Sequence, residues 1–208
     1  MNRNSSQSSR ASAQSAVRRA RHEAYRGLIL EAAEKVFGEL GYADAKMAEI
    51  ALRAGVATGT VYAIFPSKRN LYRAVHRENL GELARRYEEI PEAASPGETV
   101  LARSRVAALF LTARPDYLRV YLREAERWGF DPDQLPADAS AFVDRALYER
   151  GIASGEFIEA DPALLQSLLM ANSQVHLAHW LRGGQRETPE ALADRILASA
   201  RRALFARP

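Results

Sequence analysis

Residues 47–65, MAEIALRAGVATGTVYAIF, carry the spacing with the most chemistry in this chain. They read as two short helices joined by a tight turn at Gly55. Such a pair can lay its second helix in the major groove of double-stranded DNA. Ala51, Gly55 and Val61 set the geometry through their spacing. Ala51 is small enough to let the two helices pass closely. Gly55 accepts a positive φ without a Cβ penalty, which ends one helix and turns the chain. Val56 fills the corner, while Ile50, Val61 and Ile64 form the apolar face that locks the pair. Thr58 is expected to N-cap the second helix through its hydroxyl.

Other chemistries have less to stand on. The chain has no cysteine, so disulfides, thiolate catalysis and cysteine-ligated zinc are excluded. Phosphate-loop, dinucleotide, nucleophile-elbow and H-E-x-x-H signatures are absent from the sequence. No catalytic residue is therefore expected, and no cofactor. His176 and His179 stand three apart on one predicted helix, a spacing that can hold a metal with a third ligand. No acidic or cysteine partner lies nearby in sequence, so they read as polar members of a pocket or interface, and no metal is expected.

Further elements must position the two short helices. Proline at Pro66 stops the second one, because the residue before a proline leaves the helical region. Ser67 then caps a new helix that starts at Lys68. Upstream, Leu28, Ala32, Val36, Phe37 and Leu40 repeat at helical spacing over about 22–40, and Gly41 closes that helix. Three helices thus surround a small core over 20–67, and a fourth, over 68–90, leads away. Residues 1–19 are a Ser-, Ala- and Arg-rich tail expected to be disordered. Arg18, Arg19 and Arg21 either extend that solvated tail or reach a minor groove.

These segments resemble a known family. ILEAAEKVFGELGY (29–42), MAEIALRAGVATGTVYAIF (47–65) and PSKRNLY (66–72) look like the DNA-binding domain of the tetracycline-repressor (TetR) family. The resemblance covers about the first third of the chain. It implies an all-α fold, with an N-terminal three-helix helix-turn-helix domain and a C-terminal helical domain that binds ligand and dimerises. It also implies DNA contacts at Thr58, Gly59 and Thr60, a phosphate contact from Tyr62, and another from Lys68 at the start of helix four. Lys46 stands where the family often has a capping Ser or Thr, so its ammonium is free to meet a phosphate. Ala63 and Ile64 depart from the aromatic or histidine residues common there. That shifts base reading toward Thr58, Thr60 and a thymine-methyl contact from Ala63.

Charge agrees with this division. Residues 1–70 hold 11 Lys/Arg against 6 Asp/Glu, and residues 71–208 hold 18 against 20. A basic head on a mildly acidic body suits nucleic acid, and ordinary surface variation gives the same pattern. The N-terminus has no apolar signal region, and no apolar run approaches the ~20 residues of a membrane span. The expected location is the cytoplasm, with no membrane partner.

The second domain, 91–208, reads as helical throughout. Residues 92–98 look like a loop before a helix from Val100 to Thr112, and Pro115 opens another. Residues 130–138 form a turn-rich connection. A helix over 140–150 is ended by Gly151, and a bend follows at Gly155-Glu156-Phe157. Asp161-Pro162 launches a helix to Arg182, Gly183-Gly184 break it, and Thr188-Pro189 start the last one. These last two helices are apolar over wide arcs. In the resembling family they form a four-helix bundle across a two-fold axis. Leu168, Leu169, His176, Trp180, Ile196, Leu197 and Ala200 are accordingly expected at a dimer contact. Tyr117, Tyr121, Arg123, Trp128 and His176 are the candidates for contact with a small-molecule effector. Arg123, together with its charged neighbours, reads equally as a solvated helix face with i,i+4 pairing.

The reading that results is a homodimeric transcription regulator, a repressor that binds a palindromic operator and is released by a small molecule. The alternatives are a helical enzyme or adaptor with a helix-turn-helix-like corner, and an activator or DNA binder without inducer.

Overall fold

The computed structural model of the chain describes residues 3–91, 93–128 and 144–206, the side chains of 3–13 and 124–128 excepted. The described residues form helices α1 (Arg3–Asp44), α2 (Met47–Arg53), α3 (Thr58–Ile64), α4 (Lys68–Glu88), α5 (Pro96–Thr112), α6 (Pro115–Trp128), α7 (Arg145–Ala153), α8 (Pro162–Arg182) and α9 (Pro189–Leu204). The extended structure among them is one isolated antiparallel bridge, Phe157 to Phe205. Two compact units divide the chain, Met1–Val75 and His76–Pro208. The first two turns of α4 belong to the first unit and the rest to the second.

In the first unit α1 buries Ile29, Ala32, Ala33, Val36 and Phe37 against α2 and α3. Leu28 and Leu40, expected on that face, are 48% and 43% exposed. Leu28 falls at the margin of the buried stripe, and Leu40 lies in the last turn before Gly41, whose φ of 78 and ψ of 170 kink the helix. The polar segment expected to be disordered is instead helical from Arg3. Most of its described side chains are exposed. The buried turns downstream supply the nucleus, after which adding Ala, Ser, Gln and Arg residues to a helix end costs little.

The α2–α3 corner is closed by the backbone. Gly55 has φ +67; its N–H donates to the Leu52 carbonyl at 3.2 Å, and the Val56 N–H donates to that of Ala51 at 3.0 Å. This is the six-to-one and five-to-two pairing that glycine permits at a helix end. The N-cap of α3 is Ala57 and not Thr58; Thr58 is the first helical residue and makes no cap bond. Ser67 does cap α4, accepting from the Asn70 N–H at 3.1 Å. The Lys68 ammonium donates to the carbonyls of Ala43 and Ala45, both at 2.9 Å, and sits 4.7 Å above the Tyr42 ring. It therefore ties the end of α1 to the start of α4. Tyr72 completes that corner, edge-on to Phe37 and Tyr42 with centroids 4.9 Å away in each case.

In the second unit α9 packs on α5 and α8, and α7 packs on the same pair. Helix starts follow their caps. Asp161 accepts from the N–H of Ala163 and of Leu164, Thr188 from that of Ala191, and Asp144 from that of Leu147. Residues 92–98, expected as a loop, already contain the start of α5. Ser95 is its N-cap, Pro96 its first residue, and the Ser95 hydroxyl also donates to Glu156 at 2.6 Å. That bond and the Gly97 N–H hold the Glu156 carboxyl below its ordinary range. The helix expected over 140–150 begins at Arg145 and passes through Gly151 to Ala153. Gly151 serves a different end: a Cβ there would meet the Phe157 ring at 2.2 Å. The absent side chain lets Phe157 lie flat on the helix, between Tyr148 and Phe205. The turn-rich connection over 130–138 lies outside the described residues.

His76 is buried in the second unit, its Nδ1 3.4 Å from the Tyr117 hydroxyl. Burial pushes its pKa down to about 4. An unfolded histidine titrates near 6.5, so between those values the unfolded chain binds the proton that the folded chain refuses. Stability is full above the unfolded value and falls as pH drops, with a slope from His76 approaching about 1.4 kcal/mol per pH unit. Urea unfolding at pH 7.5, 6 and 5 should show this loss, and His76→Gln should flatten it. An equal slope in both proteins would assign the acid sensitivity to other groups.

Candidate nucleic-acid interface and buried cavity

The candidate nucleic-acid surface lies on α3. At 100° per residue, Thr58, Gly59, Tyr62 and Ala63 fall on one arc of the helix. All of them are exposed, Tyr62 by 49%. Val61, on the opposite side, is fully buried, with Phe65 following it at the helix end. Thr60 is half-buried at the edge of the exposed arc, beside Ala63. No side chain or backbone atom lies within 4 Å of where a Cβ on Gly59 would stand. Lys46 is exposed at the N-cap position of α2 and makes no side-chain cap bond. Its ammonium is thus uncommitted to the helix, as the sequence suggested. Lys68 differs: two of its three protons are spent on Ala43 and Ala45 carbonyls, so its first task is to hold the corner.

The second unit encloses a cavity of about 140 Å³ bounded by α4, α5, α6, α7 and α8. Its wall is mostly Leu, Val, Ala and Met, interrupted by the phenols of Tyr87, Tyr117, Tyr121 and Tyr148. Burial pushes the phenols of Tyr87, Tyr121 and Tyr148 up, so they stay protonated at neutral pH. The Tyr121 oxygen accepts from Gln174 Nε2 at 3.3 Å. Two charged side chains, Arg103 and Asp144, reach the described wall, and they pair with each other at 3.0 Å. The Arg103 guanidinium also lies 5.8 Å from the centre of the Tyr87 ring.

Of the residues expected to contact an effector, the structure brings Tyr117 and Tyr121 to this wall. Arg123 is exposed on α6 and His176 points elsewhere; neither lines the cavity. The Trp128 side chain lies outside the described residues. His176 receives a hydrogen bond from Arg195 at 3.1 Å, and burial, with that guanidinium, lowers its pKa. A guanidinium at that distance opposes a metal cation there. Tyr87, Arg103, Asp144, Tyr148 and Gln166 were missed. They come from four helices, and no sequence spacing links them. The usable signal was a tyrosine on the inner side of each of several predicted helices.

The expected dimer contact also needs correction. Ile196 and Ala200 are fully buried within the chain, and Trp180 and Leu169 are 5% and 8% exposed. The wide apolar arc of α9 is covered by α5 and α8 of the same chain, so it has no surface left for a second copy. Leu197 packs partly buried on the core around Leu165 and Phe157. Leu168 remains exposed by 43%, together with Leu164 at 52% and Val175 at 68%. Their spacing places these three within about 40° of arc on α8.

Comparison with known proteins agrees with this arrangement. Residues 29–75 match the family model for bacterial regulatory proteins of the tetR family. The fatty acid metabolism regulator protein of Bacillus subtilis is 26% identical over 181 residues, which is 81% of this chain and 90% of that protein. The transcriptional regulator RutR of Escherichia coli is 27% identical over 171 residues, 81% of this chain and 80% of that one. Among solved structures, the fatty acid degradation regulator FadR of Bacillus halodurans matches with a TM-score of 0.68 and 21% identity, covering 86% and 98% of the two chains. FadR of Bacillus subtilis, in complex with stearoyl-CoA, matches with a TM-score of 0.66 and 23% identity over 83% and 96%. These relatives are regulators and not enzymes, and no described helix is long and apolar enough to cross a membrane. An exposed reading face on a two-turn helix, the matched head and the shared helical body together place this chain in the tetR family of bacterial transcriptional regulators.

Proposed function

We propose that the chain is a cytoplasmic repressor that binds a palindromic operator as a homodimer and releases it when a small molecule enters the cavity. The observation that carries this is one chain holding both an exposed face on α3 and a closed, phenol-lined cavity in a separate unit. The stearoyl-CoA held by one structural relative, and the choline held by a putative regulator of Saccharomonospora viridis, support a ligand site in the same kind of domain. One α3 reads only a few base pairs, and two on a symmetric dimer read two half-sites. Release requires the ligand to bind the off-DNA state more tightly, since only differential affinity moves the equilibrium. DNA captured by the purified protein, once sequenced, should yield one inverted repeat. A reporter under that repeat should be silenced by the protein. Capture without a common sequence sinks the operator, and reporter stimulation makes the protein an activator.

At the operator, Thr58, Thr60 and Ala63 read base edges, Tyr62 and Lys46 meet phosphates, and Gly59 lets the backbone approach. Lys68 has one proton left for a phosphate and acts first as a brace. Gly59→Ala separates contact from folding. Alanine in this helix interior should hold or raise stability by about 0.5–1 kcal/mol. Against DNA the added methyl should lower affinity at least tenfold. Thermal melts and binding titrations on one duplex check this, and unchanged affinity removes Gly59 from the interface.

The dimer forms through the α8 stripe of Leu164, Leu168 and Val175. Val175 is 68% exposed in the single chain, so Val175→Glu should leave the melting temperature of the subunit intact while giving a monomer in light scattering. A charge buried there would be repeated across the two-fold axis. A variant that remains dimeric moves the interface off this stripe.

A further inference from the structure

We propose that the cavity selects a small, uncharged, largely apolar molecule carrying a hydroxyl group, and discriminates against carboxylates and amines of the same shape. This rests on the cavity being the effector site. Three features of the wall point to it: its size, its cancelled charge and its surplus of acceptors.

Size comes first. At about 140 Å³ the space matches a body of benzene size, since an apolar cavity of about 150 Å³ takes benzene. Charge is cancelled at the rim. Asp144 spends one carboxylate oxygen on Arg103 and the other on the Leu147 N–H at the start of α7. An entering carboxylate must therefore take Arg103 from Asp144 and leave an uncompensated anion behind, and an entering ammonium finds no free carboxylate. The phenols cannot answer a charge either, because burial keeps them neutral.

The hydroxyl follows from where the protons already go. Ser104 donates its proton to the Val100 carbonyl at 2.7 Å, and Ser173 donates to that of Leu169 at 3.0 Å. Both oxygens keep lone pairs but have no proton to offer. Next to Ser173, Gln174 is buried and donates to Tyr121, while its Oε1 has no hydrogen-bond partner. Acceptors thus outnumber donors around one end of the cavity. A ligand that only accepts, such as an ester or a carboxylate, leaves them unmet. A hydroxyl donates to one of them and accepts from a phenol.

The test uses benzyl alcohol, benzoate and benzylamine as matched probes, titrated calorimetrically into the full-length protein at pH 7. Benzyl alcohol should bind at least tenfold more tightly than either ion. Asp144→Asn keeps the α7 cap and frees Arg103, so it should raise benzoate affinity at least tenfold. Tighter binding of benzoate or benzylamine by the wild type, no binding of benzyl alcohol, or no gain in Asp144→Asn would each overturn the proposal. Ala107→Trp, which fills the cavity, separates this from failure of the underlying reading. If its thermal melt shows a folded protein and benzyl alcohol still binds unchanged, the cavity is not the site at all. A carboxylate preference that Ala107→Trp abolishes leaves the cavity as the site and rejects only the ligand class.

Discussion

A left-handed backbone at Gly55 governs the reading head. Its φ of +67 closes α2 with two carbonyl bonds and sends the chain back as α3. The direction of α3 then decides which of its sides is covered. Val61 goes into the core, and the arc from Thr58 to Ala63 is left in solvent. A residue with a Cβ at position 55 would strain this turn, and the face of α3 would rotate with it. Lys68 reinforces the arrangement from the other end by holding the carbonyls of Ala43 and Ala45. Both devices act on backbone, so they fix geometry while leaving the exposed side chains of α3 free to differ.

The second unit is built on the opposite requirement, an interior left partly unfilled. Close packing is the default for buried helices, and an internal space costs stability. Here the apolar stripes of α5, α7, α8 and α9 meet around Leu165, Phe157 and Leu204, and that dense region carries the fold. The cavity lies to one side, where tyrosines replace aliphatic side chains. The phenols are rigid and span the space from several helices. The Arg103–Asp144 pair crosses from α5 to the start of α7, so one interaction both cancels the rim charge and fixes the helix end.

The chemistry of the two units also differs in sign. The head carries an excess of basic residues, while the rest of the chain is near neutrality. A polyanion is met at the surface by side chains that stay hydrated. The cavity by contrast removes a ligand from water, where an unpaired charge is costly and a neutral hydrogen bond is not. One chain can serve both partners because these demands fall on separate units.

The sequence by itself determined the local events. Proline after Phe65, serine at 67, Asp161-Pro162 and Thr188-Pro189 set helix ends through φ restriction and side-chain caps, and each boundary stands where local chemistry puts it. The two short helices and their glycine turn were legible for the same reason, since their geometry needs only residues within about twenty positions. Ser95 was missed because its cap looked like one more residue of a Pro/Gly loop. Gly151 was misread because glycine has two uses, and only the Phe157 ring lying against it shows which applies. Which apolar faces are spare was not legible at all. Ile196 and Ala200 look like an interface in isolation, and they are spent inside the chain because α5 and α8 close over them. The cavity was equally hidden, because Tyr87, Arg103, Tyr121, Tyr148 and Gln166 are brought together by helix packing alone. Periodicity tells which side of a helix avoids water; only the tertiary structure decides what covers it.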